Sequence, residues 1–289
     1  MNLKLSIGTP VVTMTPGTHG TWEVEASIED IAQIAEAADR LGYHHMTCSE
    51  HIGLPAGELA RRGARYWDPL STFGYLAART RHIRFATSVL VLAYHHPLEI
   101  AKRYGTLDKV SNGRVILGVG VGTLKEEFDL LGAPYDNRGP RGDDALRALR
   151  ASLSQREPVY HGEFYDFEGL VIDPCAVQQH VPLWVGGRTL RSLRRAVALA
   201  DGWCPFAVAP AQATEWLSKM ELPSGFEVVL APTARLDPIT EPARAEQTLA
   251  DTAAHGATIV SCSFTHRSLA EYLDKLEALA GIHAGMGAT

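Results

Sequence analysis

The 289 residues are 46% hydrophobic and 21% charged, a globular composition in a chain long enough for one large domain or two small ones. A formal charge of −6, with arginines scattered among acids, supplies no basic stripe for a phosphate backbone and argues against nucleic acid as a partner. No window approaches the length of apolar run that crosses a bilayer, and MNLKLSIGTPVV at the amino terminus lacks a secretory pattern, so a soluble, cytoplasmic protein with no membrane partner is expected.

Strand-like and helix-like periodicities alternate from end to end. The first strand is expected at 3–8. Ser27 then caps a helix, with Asp30 three residues on, Ile28, Ile31, Ile34, Ala35, Ala38 and Leu41 on one face, and Gly42 as its stop. A second strand at 44–49 leads into an irregular stretch, 51–67. Asp68-Pro69 opens the second helix and, after a strand at 83–92, His96-Pro97 opens the third; both place proline where its missing N–H is not needed. Next come a strand at 114–120, a helix at 142–154 and a second irregular stretch, 155–181, where PVYHGEFYDFEGLVIDP alternates like a small hairpin. Strands at 182–186, 202–206, 227–234 and 258–264 then alternate with helices at 189–200, 210–220 and 241–255. The capping box Ser268-Leu-Ala-Glu271 opens the last helix, with Gly281 as its stop.

Eight strand–helix units in 289 residues, about 36 residues each, predict a (β/α)8 TIM barrel forming a single domain over 1–289, with insertions at 51–67 and 155–181. No Pro-, Gly- or Ser-rich linker divides it. The four cysteines stand alone without a CxxC pair, so neither a zinc site nor a disulfide framework is signalled, and reduced, mostly buried thiols are expected.

A barrel gathers its active site at the C-terminal ends of the strands. Those ends carry Thr9-Pro10, Ser49-Glu50-His51, Ser88-Val89, Gly120 to Thr123, Gly186-Gly187-Arg188, Pro205-Phe206, Thr233 and Ser263. Gly118, Gly120 and Gly122 in GVGVGT end the fourth strand and do not spell GxGxxG, so they are not a Rossmann start. They either admit a ligand close to the backbone or simply end a glycine-rich strand. Metal chemistry finds no support, because the first strand has no histidine and neighbours such as His44-His45 on a strand point to opposite faces. No GxSxG elbow occurs, and Glu50 has no second strand-end carboxylate to pair with. In WVGGRTLRSLRR, Gly186 and Gly187 precede a helix N-terminus suited to an anion, with Arg188 at hand, whereas Arg191, Arg194 and Arg195 are expected on a solvated face.

SEHIGLP (49–55), the run from RTRHIRFATSVLVL to EEFDLLG (79–132), NRGPRGDDALRALR (137–150), HGEFYDF (161–167) and PLWVGGRTLRSLRRAVALADGW (182–203) together resemble the luciferase-like monooxygenase family, and within it the branch using the deazaflavin coenzyme F420. The resemblance fades after residue 206. It implies a flavin or deazaflavin in the barrel and a non-prolyl cis peptide at Ser88-Val89 supporting the ring. It also implies cofactor contacts at Glu50, Gly120, Val121, Gly122 and Thr123, a ribityl phosphate near Gly186 and Gly187, and His51 as the acid–base residue facing a small-molecule substrate. A homodimer is implied as well. Thr123 stands where the sugar-phosphate dehydrogenase branch carries a proton-transferring glutamate, which argues against that reaction and leaves a proton donor unassigned. F420-dependent hydride transfer is the expected activity. The alternatives are an FMN-dependent monooxygenase of the same family and a non-catalytic flavin-binding protein.

Overall fold

The computed structural model describes residues 3–287. Eight parallel strands form the barrel wall: β1 (Lys4–Ile7), β2 (His45–Cys48), β3 (Arg84–Thr87), β4 (Val115–Gly120), β5 (Leu183–Gly187), β6 (Gly202–Pro205), β7 (Glu227–Leu230) and β8 (Ile259–Cys262). Each pairs with the next in order, and β8 closes on β1 with Lys4 opposite Ile259 and Ile7 opposite Cys262, so the barrel sheet closes on itself. Eight main helices surround the wall: α1 (Ile28–Arg40), α2 (Pro69–Arg79), α3 (Pro97–Val110), α4 (Arg138–Ser152), α5 (Leu190–Leu199), α6 (Pro210–Leu217), α7 (Pro242–Ala254) and α8 (Leu269–Met286). The expected (β/α)8 barrel is what forms.

The start signals act as their chemistry predicts. The Ser27 N–H donates to Asp30 Oδ2 at 2.7 Å, Asp68 Oδ1 accepts from the Ser71 N–H, and Ser268 Oγ accepts from the Glu271 N–H. Gly281 does not stop α8, which runs on to Met286. That glycine is helical and unobstructed, and one glycine inside a long helix costs only about 1 kcal/mol. Strand three is not continuous over 83–92: it breaks after Thr87 and resumes as Leu90–Val91, paired with Val119 and Gly120. The seventh strand ends at Leu230 rather than 234, and α4 begins at Arg138 rather than 142. In the second insertion only Tyr160–His161 and Asp166–Phe167 pair as a hairpin. A short helix, Lys125–Leu131, follows the glycine loop, where the sequence turns helical-looking.

Alternation along the strands sends one set of side chains out to the helices and the other into the barrel. Ala86, Ile116, Trp184, Val229 and Ile259 fill the middle of the interior, with Cys204 against them. Below them Lys4 Nζ meets Glu227 Oε1 at 2.8 Å, and Trp184 Nε1 donates to Glu227 Oε2. His44 and His45 do not diverge as adjacent strand residues should, because His44 lies just before β2 and the two Nδ1 atoms meet at 2.9 Å beside Trp184. Burial holds the His45 imidazole well below its ordinary pKa and that of His44 at about 4, so both are neutral core residues. Above the middle layer the inward positions become small: Gly118, Gly120, Gly186 and Ser261. These residues line the mouth of the barrel, the bowl at the C-terminal ends of the strands.

One stability prediction arises on α8. Lys275 is 2% exposed, and its ammonium donates to Asp237 Oδ2 at 3.0 Å and the Thr265 carbonyl at 2.6 Å, beside Glu271 at 2.8 Å. Burial works against ionisation of Asp237, but hydrogen bonds from Lys275 and Thr240 outweigh it and hold its pKa at about 2. A carboxylate depressed in the fold stabilises above its unfolded pKa of about 4 and loses that contribution as pH falls towards 2. Asp237→Asn is therefore expected to flatten the acid limb of urea stability between about pH 4 and 2. An unchanged slope would show that other carboxylates govern it.

Candidate active site

The break in strand three shapes the bowl. Ser88-Val89 is a non-prolyl cis peptide, with the Ser88 N–H donating to the Cys48 carbonyl and Ser49 Oγ donating to the Ser88 carbonyl at 2.8 Å. Val89 then lies between two glycines. A Cβ at Gly120 would come within 2.8 Å of Val89 Cγ2, and one at Gly186 within 2.5 Å of Val89 Cγ1. These positions therefore read as glycine for space, so that a valine can cover the bowl wall. Below them Gly118 serves close strand approach: a Cβ there would stand 2.0 Å from the Thr87 carbonyl oxygen.

The loop after β4 continues the rim. Gly122 has φ +78, and a Cβ there would strike the Phe128 ring at 2.5 Å, so both backbone and space require glycine. Arg138 Nε donates to the Gly122 carbonyl at 3.2 Å while its guanidinium sits 3.8 Å over the Tyr135 ring. Val121 packs against Gly142 of α4, and Thr123 is exposed. At the end of β5, Gly187 has φ +134 beside Ser192, whose Oγ accepts from Trp203 Nε1 at 3.1 Å. Arg188 is exposed at the N-terminus of α5. Arg195, expected in solvent, is instead nearly buried and paired with Asp143, because that face of α5 packs on α4.

Glu50 and His51 part company. The Glu50 side chain turns to the outside of the wall, where Oε2 accepts from the Val91 N–H at 2.7 Å and Oε1 meets His95 Nε2 at 2.6 Å. Desolvation would lower the His95 pKa, but the Glu50 carboxylate raises it above its ordinary value. Glu50 also lines a separate cavity of about 320 Å³ with Asp68, Leu70, Leu90, Arg103 and Tyr104. It thus braces the chain just after the bulge from behind.

His51 lies on the rim, held from two sides. The Tyr66 ring meets its imidazole edge-on at 4.5 Å, presented by the first insertion, and His51 Nδ1 lies 2.7 Å from Glu127 Oε2. Glu127 comes from the short helix after the glycine loop, and its side chain is 1% exposed. Its Oε2 also accepts from the Tyr94 hydroxyl at 3.0 Å, and its Oε1 from the Ile52 N–H at 2.8 Å and the Gly53 N–H at 3.4 Å. Burial opposes ionisation of Glu127, but the hydrogen bonds from His51, Ile52 and Tyr94 hold its pKa below the ordinary value. Burial beside this carboxylate in turn pushes the Tyr94 phenol up.

Glu127 and Tyr94 were not among the expected site residues. A signal existed: in LKEEFDLL, Glu127 shares the helix face of Leu124, Phe128 and Leu131, and an acid on an apolar face is a group in need of buried donors. Ser88, Val89, Gly120 and Gly186 do come together, His51 is held by Glu127 and Tyr66, and Glu50 serves from outside. Among the described residues no group of His, Cys, Asp and Glu is arranged to hold a metal, and no helix is long and apolar enough to cross a membrane.

The family model for luciferase-like monooxygenases matches residues 9–223. The chain belongs to the luciferase-like monooxygenase family. The family match extends beyond residue 206, where the motif-level resemblance fades. An uncharacterized protein of Mycobacterium tuberculosis is 33% identical over 182 residues, 59% of this chain and 62% of that one, so the match spans less than two thirds of the relative. Among solved structures, a monooxygenase from Streptomyces bottropensis superposes with a TM-score of 0.75 at 20% identity, covering 99% of this chain and 100% of that one. The coenzyme F420 dependent tetrahydromethanopterin reductase of Methanopyrus kandleri gives 0.68 at 14% identity over 96% and 98%. At these identities the two structures speak for the fold.

Proposed function

We propose that this luciferase-like protein uses coenzyme F420 to transfer hydride to or from a small organic substrate at the mouth of the barrel. The observation that carries the reading is the Val89 side chain set between Gly120 and Gly186 at the strand ends, where the loop after β2 also holds an imidazole on a buried carboxylate. A bowl walled by glycines and one valine suits a flat ring, because no side chain competes for the space. Ser88, Val89 and the backbone of Gly120, Val121, Gly122 and Thr123 would hold the ring, and Gly186, Gly187 and the N-terminus of α5 its phosphate. Glu50 acts through the Val91 N–H, keeping the bulge in place.

The bound deazaflavin supplies the hydride chemistry, and the protein supplies orientation and proton handling. His51 is the rim residue suited to move a proton. Phe206, 47% exposed at the end of β6, adds an apolar surface at the C-terminal mouth and suits a substrate with an apolar body. A second reading is monooxygenation with reduced FMN: the family resemblance allows FMN as well as F420, and a monooxygenase from Streptomyces bottropensis shares the fold.

Mixing the protein anaerobically with oxidised or reduced F420 and a panel of small alcohols, aldehydes and imines is expected to give a substrate-dependent change in deazaflavin absorbance. Turnover that instead requires reduced FMN and oxygen overturns the F420 reading in favour of the second. A structural prediction accompanies it. Gly186→Ala pushes the Val89 methyls into the bowl and is expected to weaken F420 binding about tenfold, or about 1.4 kcal/mol. Since the two positions share one space, Gly186→Ala combined with Val89→Ala should bind no worse than Val89→Ala alone. Additive losses in a fluorescence titration would contradict the contact.

A further inference from the structure

We propose that Glu127 is a positioning residue that fixes the proton of neutral His51 on Nδ1, so that Nε2 meets the substrate as a proton acceptor. This rests on the reading of His51 as the proton-handling residue of the bowl.

The assignment follows from counting donors. An ionised carboxylate only accepts. Glu127 Oε1 is taken by two backbone N–H groups, Ile52 and Gly53, which have no other role to switch to. Oε2 receives the Tyr94 hydroxyl at 3.0 Å and His51 Nδ1 at 2.7 Å, and the second contact is a hydrogen bond only if Nδ1 carries the proton. With the carboxylate 1% exposed, water does not substitute for these donors. The opposite tautomer would set a lone pair of Nδ1 against a buried anion. Tyr66 edge-on to the ring closes off rotation on the other side. When Nε2 takes a proton from the substrate, the resulting imidazolium keeps its Nδ1–H on Glu127, whose charge stabilises it. The acid sits four residues after Thr123, and it supplies an anion to the imidazole while making no contact with substrate.

Glu127→Gln reverses this donor pattern. The amide oxygen must face the Ile52 and Gly53 N–H groups, which turns the amide NH2 towards His51 and Tyr94. Nδ1 then has to accept, and the imidazole proton moves to Nε2, the atom that should receive the substrate's proton. Long-range ¹H–¹⁵N NMR of histidine-labelled protein without cofactor reads the tautomer directly, with His51 identified among the 12 histidines by its loss in His51→Ala. The wild type is expected to show Nδ1–H for neutral His51 and Glu127→Gln to show Nε2–H. Tyr94→Phe, which removes the other donor, should keep Nδ1–H. In turnover, Glu127→Gln should lower kcat by about 10²-fold or more, while F420 affinity stays within about threefold of wild type, a change under 1 kcal/mol.

A wild-type spectrum with Nε2–H or with both tautomers overturns the proposal, whether or not Glu127→Gln folds. So does a Glu127→Gln spectrum identical to wild type, or a switch in Tyr94→Phe. Because the tautomer is read without cofactor, a switch in Glu127→Gln together with absent F420 binding would uphold the positioning role and reject the cofactor assignment alone.

Discussion

Arg114→Met is expected to destabilise the fold by about 3–5 kcal/mol, enough to move the urea midpoint by about 1 M in a chain of this size. Arg114 is 7% exposed at the start of β4, and its fork is fully used. Nε donates to the Ser111 carbonyl at 2.6 Å, Nη1 to Thr80 Oγ1 at 2.7 Å and the Ile83 carbonyl at 3.0 Å, and Nη2 to the Ala77 carbonyl at 2.8 Å. The guanidinium also lies 4.9 Å from the centre of the Phe85 ring. One side chain therefore closes the C-terminal carbonyls of α2 and α3 onto the starts of β3 and β4. Methionine fills the volume but leaves these acceptors buried and without a donor, each loss costing about 1–3 kcal/mol before relaxation. Lysine offers one point charge in place of a fork and should recover less than half. A midpoint within error of wild type for Arg114→Met would mean that water replaces the fork and that the closure is not stabilising.

His51→Ala is expected to fold, to bind F420 within about threefold of wild type and to lose about 10²- to 10⁴-fold in turnover, the usual range for a general acid–base group. The ring of His51 sits on the rim with no place in the hydrophobic core, so little stability goes with it, although Glu127 loses one of its donors. This variant separates an enzyme from a protein that only holds a flavin. Unchanged behaviour in every assay would make His51 a brace for the loop and favour the non-catalytic alternative.

The barrel was legible from the chain because its signals are local and repeated: caps at Ser27, Asp68 and Ser268, and strand runs alternating with helical faces. The break at Ser88-Val89 was legible only through family resemblance, since TSVLVL carries the periodicity of an uninterrupted strand. The spacing of Val89 between Gly120 and Gly186 joins three strands, a relation that no linear pattern contains. Glu50 and His51 are adjacent in sequence and looked like one pair, yet successive side chains diverge at the end of a strand, and each found a different partner, His95 and Glu127. The meaning of Glu127 depends on donors from residues 51–53 and 94, brought to it by the fold. An arginine on an amphipathic helix normally lies in solvent, and the acid that draws Arg195 in lies on another helix.

The central claim is that the glycine-walled bowl above Val89 holds a deazaflavin. Fluorescence titration of the purified protein with coenzyme F420 and, separately, with FMN tests it most directly. The account predicts saturable micromolar or tighter binding of F420 with FMN at least about tenfold weaker, a difference of about 1.4 kcal/mol. Preference for FMN, or saturable binding of neither, would contradict it.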